Sequence, residues 1–416
     1  MKTIIGFDSW TEGYRNYERL VIPLKEAGYE LKLIHFGSLG HDIGRKKREK
    51  LGNLDVCDIS FYEGLSIQDV LHKEEPCAVI FLSTESFLHR AVNRYCKKNS
   101  IPTLHLYHGL ISVQAVENGQ PDKYRFLAQV RIVIERSAKN IKTILPIYVK
   151  ALLETESTFS DWSYLLSNII RKIFGRYVSI AAPDASTTMC AVFAKSDVSH
   201  AHSKYRVPVE QIVVVGNPDL MKFGVKTEDI LSCAKMFYRN KKVVYLDHGG
   251  STSGFTFSSE SDFVDFLLKT QHATKDAGYQ LLVKLHPSQY LTNVPSLLRD
   301  RGLEIVDDCE FIDALKLSRA IICGPTTVSV IPGILGLPMI LAQYEQFTGQ
   351  EYGTVLKNYP LSCAASSLFE LTATLQVANT CDYEKLRKWI SSYVEPLPAS
   401  DMPKRVVEAI EELIRS

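Results

Sequence analysis

No apolar run in this 416-residue chain approaches the ~18 to 20 residues that a membrane span needs, so a transmembrane anchor is not expected. An excess of one charge is also missing. Lys and Arg number 48 against 47 Asp and Glu, and the resulting +1 supplies no global pull toward nucleic acid. The nine cysteines (57, 77, 96, 190, 233, 309, 323, 363 and 381) form no Cys-x-x-Cys pair and no metal-like spacing. Structural zinc is therefore not expected, and the odd count reads as reduced core thiols in a reducing compartment. No Asp-x-Asp motif, internal repeat, low-complexity tract or long linker is present. His200 and His202, two apart on a predicted helix, read as solvent residues rather than ligands. The N-terminus runs directly into a strand and is too short for a signal peptide, which predicts a cytoplasmic protein, at most against the inner face of a membrane. What remains is a globular composition, 45% hydrophobic and 23% charged, too long for one core.

What is present is a rhythm. Near-continuous apolar runs of strand length recur at residues 3–7, 31–35, 56–60, 78–82 and 103–107, with helical patterns between several of them. Repeated β-α units with apolar strands predict a parallel, doubly wound sheet. From about 121 to 180 the strand runs stop, and a helical insertion is expected. Its most amphipathic piece, residues 165–176, sets Arg171, Lys172 and Arg176 beside an apolar face, the pattern of a peripheral membrane contact. The rhythm resumes at 191–194, 211–215, 242–247, 281–285, 303–306, 319–323 and 338–342. The predicted organisation is a Rossmann-like domain over 1–205, a second over 206–398, and a closing helix within 399–416 packing back on the first.

Chemistry is expected at strand ends, because open α/β sheets bind ligands outside their carboxyl edge. The run Leu281-Leu282-Val283-Lys284-Leu285-His286-Pro287 stops at a proline that cannot continue a central strand, which places Lys284 and His286 at that edge. A second run ends in Gly324-Pro325-Thr326-Thr327-Val328-Ser329 and opens a helix. The hydroxyls of Thr326, Thr327 and Ser329, with the N–H groups of a helix start, suit phosphate oxygens or plain capping. Asp247-His248-Gly249-Gly250 follows another strand. Its glycines let backbone amides approach a ligand closely, and Asp247 reads as a nucleophile, an orienter of His248 or a loop cap. Asp8, Glu12, Glu85 and His108 each follow a strand of the first domain and are candidates for a general base that takes a proton from a substrate hydroxyl. Gln343 and Glu345, after the last of these strands, are candidates to meet hydroxyls of the same ligand.

The stretch Tyr205-Arg206-Val207-Pro208, continued by Ile212-Val213-Val214-Val215-Gly216-Asn217-Pro218, resembles the domain junction of bacterial surface-polysaccharide glycosyltransferases. Arg206 stands where those enzymes have glycine, and Val215 where they have threonine. Tyr107-His108-Gly109, Val283-Lys284-Leu285-His286-Pro287, and Gly324 to Ser329 followed by Gly336-Leu337-Pro338 resemble further motifs of the same enzymes, in the same order. In Kdo transferases, sialyltransferases and CDP-glycerol transferases the His-Pro and Ser/Thr elements hold a cytidine nucleotide.

The resemblance spans roughly residues 100–345 and implies the α/β GT-B fold: two Rossmann-like doubly wound domains facing across a cleft, with a helical insertion in the first. It implies a glycosyltransferase that moves a sugar, a CMP-activated sugar acid of Kdo or sialic type, to a glycan or lipid-linked glycan acceptor. Neither metal nor other cofactor is implied, and no nucleic acid. On this reading Lys284, His286, Pro287, Gly324, Thr326, Thr327, Ser329, Gly249 and Gly250 meet the nucleotide. His108 is the best base, ahead of Asp8 and Glu12, and Asp247 is a nucleophile as in retaining Kdo transferases. The alternatives are a CDP-glycerol-type polyol-phosphate transferase, a UDP-sugar 2-epimerase-like enzyme, and an inactive nucleotide-binding GT-B scaffold.

Overall fold

The computed structural model describes residues 1–8, 13–39, 46–108, 113–115, 142–173, 182–249, 257, 259–324, 326–343, 350–376 and 382–415. The chain divides into two compact units, Met1–His108 with Lys123–Val215 and Asp401–Ser416, and Gly109–Asp122 with Gly216–Ser400.

The strands of the first unit are β1 (Lys2–Asp8), β2 (Tyr29–His35), β3 (Arg48–Leu51), β4 (Leu54–Asp58), β5 (Ala78–Phe81) and β6 (Thr103–Leu106). After β7 (Val113–Ala115), which pairs elsewhere, come β8 (Met189–Val192) and β9 (Ile212–Val214). They form one sheet in the order β3-β4-β2-β1-β5-β6-β8-β9. Only the edge strand β3 is antiparallel, against β4. The order reverses between β1 and β5, the switch point of a doubly wound sheet. Alternate residues of β1 enter opposite cores: Ile4 packs with one hydrophobic cluster, Ile5 and Phe7 with the other. Both faces are buried, so a near-continuous apolar run was the right signature.

The run at 211–215, expected to open the second domain, is instead the last strand of the first unit. Ile212 pairs with Cys190 of β8, and Val215 is buried with Met189 and Ala191 in the same cluster. The chain therefore crosses after Val215 and not at 205. The closing helix, Met402–Arg415, buries Met402, Val406, Ala409, Ile410 and Leu413 in that core, a stripe at helical spacing.

The helical insertion appears as a helix over 142–154 and a second, Phe159–Ile173. A buried ion network fastens it to helix Phe87–Lys98. Asp184 accepts from Arg90 Nε at 2.5 Å, Arg94 Nη1 at 3.0 Å and the Tyr148 hydroxyl at 2.6 Å. Arg90 has no exposed surface, and its guanidinium lies 4.7 Å from the Tyr148 ring centre and 4.6 Å from that of Tyr164.

The second unit holds β10 (Lys242–Leu246), β11 (Gln280–Lys284), β12 (Glu304–Ile305), β13 (Ser318–Cys323), β14 (Met339–Ala342), β15 (Gln350–Tyr352) and β16 (Ser362–Ala365). Six of them make a parallel sheet in the order β12-β11-β10-β13-β14-β16. Ranked by position in the chain this is 3-2-1-4-5-6, the Rossmann order, with its switch point between β10 and β13. Val243 and Tyr245 face one core, Val244 and Leu246 the other. β15 pairs antiparallel with β7.

Candidate functional site

Register levels three strand ends at the switch point of the second unit. Leu246 lies beside Lys284 on one side and Cys323 on the other. Asp247, His286 and Gly324 therefore leave the sheet at one edge. The His-Pro and Gly-Pro-Thr-Thr ends are not adjacent, since β10 separates them.

Beyond these ends is a cavity of about 160 Å³ lined by Lys222, Lys284, His286, Asp308, Thr326 and Thr327 on its polar side, with Asp219 and Asp247. Phe223, Leu246, Leu285, Pro287 and Val328 supply its apolar wall.

His286 sits before Pro287, which opens a short 3-10 turn, Pro287–Leu291. Its Nδ1 accepts from the Ser288 N–H at 3.3 Å and lies 2.8 Å from the Ser288 hydroxyl. An Nδ1 that accepts a backbone N–H carries no proton, so neutral His286 holds its proton on Nε2. Burial lowers its basicity, opposed by Asp247 and reinforced by Lys222 and Lys284. Neutral His286 is thus a donor through Nε2.

Asp247 is buried, and both its oxygens serve the backbone. Oδ1 accepts from Gly249 N at 2.9 Å and Oδ2 from His286 N at 3.1 Å. The carboxylate thus ties the loop to the histidine, the arrangement of an orienting group, and it also lines the cavity. Gly249 has φ +75°, and a Cβ there would lie 2.8 Å from His286 Nδ1, so only glycine fits. Gly324 is needed for a similar reason, because a Cβ would run into the His248 ring.

Thr326 and Thr327 line the cavity, whereas Ser329 does not. Ser329 is fully buried and its hydroxyl donates to Gly324 O at 3.3 Å, holding the turn. The helix expected at 327 begins as a 3-10 turn, Thr327–Ser329, and becomes α-helical only over Val330–Leu335.

Lys222, Phe223, Asp219 and Asp308 were missed as site residues. Asp308 follows β12 and was within reach of the same strand-end rule. Lys222 closes a short helix, Pro218–Lys222, capped by the Asn217 side chain, and no spacing signals it. Lys284 Nζ lies 2.6 Å from Asp308 Oδ1, and Lys222 Nζ 3.2 Å from Oδ2. Burial opposes ionisation of Asp308, but its bonds to the two lysines keep its carboxyl below the usual range.

Among the first unit's candidates, His108 Nδ1 donates to Leu82 O at 2.7 Å, which makes Nε2 the ring's acceptor, the tautomer a base needs. The residue is exposed overall, yet enough protein surrounds the ring that desolvation lowers its basicity. Asp8 is fully buried at the end of β1. Glu85 is tied to Lys204 and to the Tyr205 hydroxyl. His200, expected in solvent, is half-buried with its Nδ1 3.0 Å from the Tyr107 hydroxyl. Gln343 is exposed and its N–H donates to Ala365 O at 2.8 Å. Glu12, Gly250 and Glu345 lie outside the described residues, as do the side chains of Arg171, Lys172 and Arg176. Among the described residues no group of three or more His, Cys, Asp or Glu could hold a metal ion, and no helix is long and apolar enough to cross a membrane.

No protein-family model matches this sequence, and no curated protein matches it. Solved structures do. The wall teichoic acid polymerase TagF superposes over 100% of this chain and 89% of its own, at 12% identity and TM-score 0.52. A variant of it soaked with CDPG gives the same coverage and identity, with TM-score 0.50. UDP-GlcNAc 2-epimerase from Neisseria meningitidis, bound to UDP-GlcNAc, covers 99% of this chain and 100% of its own, at 13% identity and TM-score 0.48. The chain has the α/β GT-B fold of two Rossmann-like units.

Proposed function

We propose that this chain is a transferase that takes a cytidine-activated donor and passes the activated group to a cell-surface glycan acceptor. The observation that carries the reading is the cavity at the second unit's switch point. There Lys222, Lys284, His286, Thr326 and Thr327 line one cavity beside an apolar wall. Lys222, Lys284 and His286 would offset the charge that develops on the departing nucleotide. His108 would accept the acceptor proton through Nε2. In the leading reading the donor is a CMP-sugar acid and the bond broken lies at the anomeric carbon.

A second reading, a polyol-phosphate transferase using CDP-glycerol, is favoured by the likeness to the polymerase solved with CDPG. The same residues would then serve a phosphoanhydride cleavage. An epimerase would convert a UDP-sugar with no acceptor present, and a scaffold would bind without turnover.

Calorimetry with CMP, CDP and UDP on the wild type and His286→Ala tests the cytidine assignment. Tighter binding of the cytidine nucleotides, weakened at least about tenfold in the variant, supports it. Preferential UDP binding that ignores the substitution sinks it. Product analysis with CMP-sugar acid and CDP-glycerol donors then separates the two transferases. We also propose that Phe159, Leu166 and Ile170, 88%, 60% and 44% exposed along helix Phe159–Ile173, touch the inner membrane face. Unchanged co-sedimentation of a Phe159→Ser, Leu166→Ser double variant with anionic vesicles would refute that contact.

A further inference from the structure

Asp308 stands between the two lysines of the cavity, giving one carboxylate oxygen to each. Two oxygens of a phosphate would present themselves to the same ammonium groups in the same way. The two charges differ in what holds them. The Lys284 side chain is only 7% exposed, and its Nζ lies 6.0 and 5.9 Å from the ring centres of Phe223 and Phe311, so its charge requires a counter-ion. The Asp308 side chain is 52% exposed and belongs to an exposed run, 307–310, after the edge strand β12. It can swing away without opening the core. Asp247, held by two backbone amides, cannot.

We propose that Asp308 is a resident anion, occupying Lys222 and Lys284 while the cavity is empty and displaced by the ligand's phosphate on binding. The inference rests on the nucleotide reading above and adds the residue that sets the cavity's threshold for binding phosphate. Asp219, Asp247 and Asp308 outnumber the two lysines in the lining, so with neutral histidines the cavity is no general trap for anions. A small anion must displace Asp308 and gains little else. A nucleotide displaces it and also covers the wall of Phe223, Leu246, Leu285 and Val328. Asp308 thereby lowers the affinity for every phosphate by one factor, a threshold that the nucleoside's apolar contacts overcome and free phosphate does not.

The test is calorimetric titration of the whole chain with cytidine, CMP, CDP and inorganic pyrophosphate, at one pH and salt concentration. Wild type, Asp308→Asn and Asp308→Ala are compared, with thermal melting as the check on folding. CMP, CDP and pyrophosphate should bind about tenfold more tightly to both variants, cytidine equally to all three. Because each phosphate ligand displaces the same carboxylate, the ratio of CMP to pyrophosphate affinity should stay unchanged while both rise together. Phosphate affinity that is unchanged or weaker in variants that melt like the wild type overturns the proposal. Loss of cytidine binding also overturns it, making Asp308 a nucleoside contact. Pyrophosphate binding without any cytidine-nucleotide binding removes the functional reading, and the pyrophosphate arm still decides the role of Asp308. If the wild type binds none of the four, both readings fall.

Discussion

Asp247 and His286 are joined through the backbone rather than through their reactive atoms. The carboxylate takes the His286 N–H on one oxygen and the Gly249 N–H on the other, at 3.1 and 2.9 Å. One buried side chain thus fixes the start of the glycine loop and the placement of the histidine. Asp247→Asn offers one acceptor where two are needed and turns a donor toward a donor. It should lower stability by about 1–3 kcal/mol and weaken nucleotide binding, while leaving measurable turnover. Urea unfolding and a transfer assay check this. Complete loss of turnover at unchanged stability and affinity would give Asp247 the role of nucleophile.

Gly249→Ala is expected to be the harsher change in the loop. At φ +75° an added Cβ meets left-handed strain of about 1–2 kcal/mol and also presses on the His286 ring. CMP affinity should fall more than in Gly302→Ala. Gly302 shares φ +75° but has open space around it, so strain alone acts there. Equal effects at the two sites would show that contact with His286 does not matter.

The hydroxyls should separate by role. Thr326→Val and Thr327→Val remove groups that line the cavity and should weaken CMP binding about three- to tenfold with little change in melting. Ser329→Ala breaks a buried bond to Gly324 and should lower stability by about 1 kcal/mol with a smaller effect on affinity. The opposite ranking would place Ser329 in the site and the threonines in the fold.

These distinctions mark where sequence stops. Val243-Val244-Tyr245-Leu246 is legible as a strand because parallel strands are buried on both faces and leave no polar alternation. His286 is legible because Pro287 must end the strand before it, β11. Strand β3, Arg-Glu-Lys-Leu, is not legible, since an exposed edge strand carries no apolar signature. Ser329 reads the same from sequence whether its hydroxyl faces a ligand or the Gly324 carbonyl. Lys222 and Asp308 come from separate connectors and form a pair only once the fold brings them to one cavity. Val213 and Val215 are apolar enough for either unit, so only pairing with β8 decides where the chain crosses.

Acid should destabilise the first unit earlier than carboxylate protonation alone would. Burial holds the buried His89 down to about 4 and His105 to about 3, against about 6.5 in an unfolded chain. Between those values the unfolded chain binds protons that the folded chain refuses. Their contribution is therefore full above pH ~6.5 and is lost as pH falls from there toward 4 and below. The urea midpoint should drop over this window, and less steeply in His89→Phe, whose ring would lie among Phe36 and Phe81. An identical pH slope in the variant would exclude His89 as a contributor.

Asp184 carries the largest expected loss of stability. It is the shared acceptor of Arg90, Arg94 and Tyr148, and Arg90 has no exposed surface. Removing one partner of a buried ion pair leaves a charge without solvent or counter-ion, which costs about 3–5 kcal/mol. Asp184→Ala should therefore unfold the first unit well below the wild-type temperature. Replacing both ends, Asp184→Leu with Arg90→Met, removes the Arg90 charge as well, while Arg94 keeps Asp161 at 3.5 Å, and should recover part of the loss, because Arg90 sits among Phe87, Tyr148 and Tyr164. Calorimetric melting of the single and double variants tests this. A double variant no more stable than Asp184→Ala would show that geometry, and not the uncompensated charge, makes the network necessary.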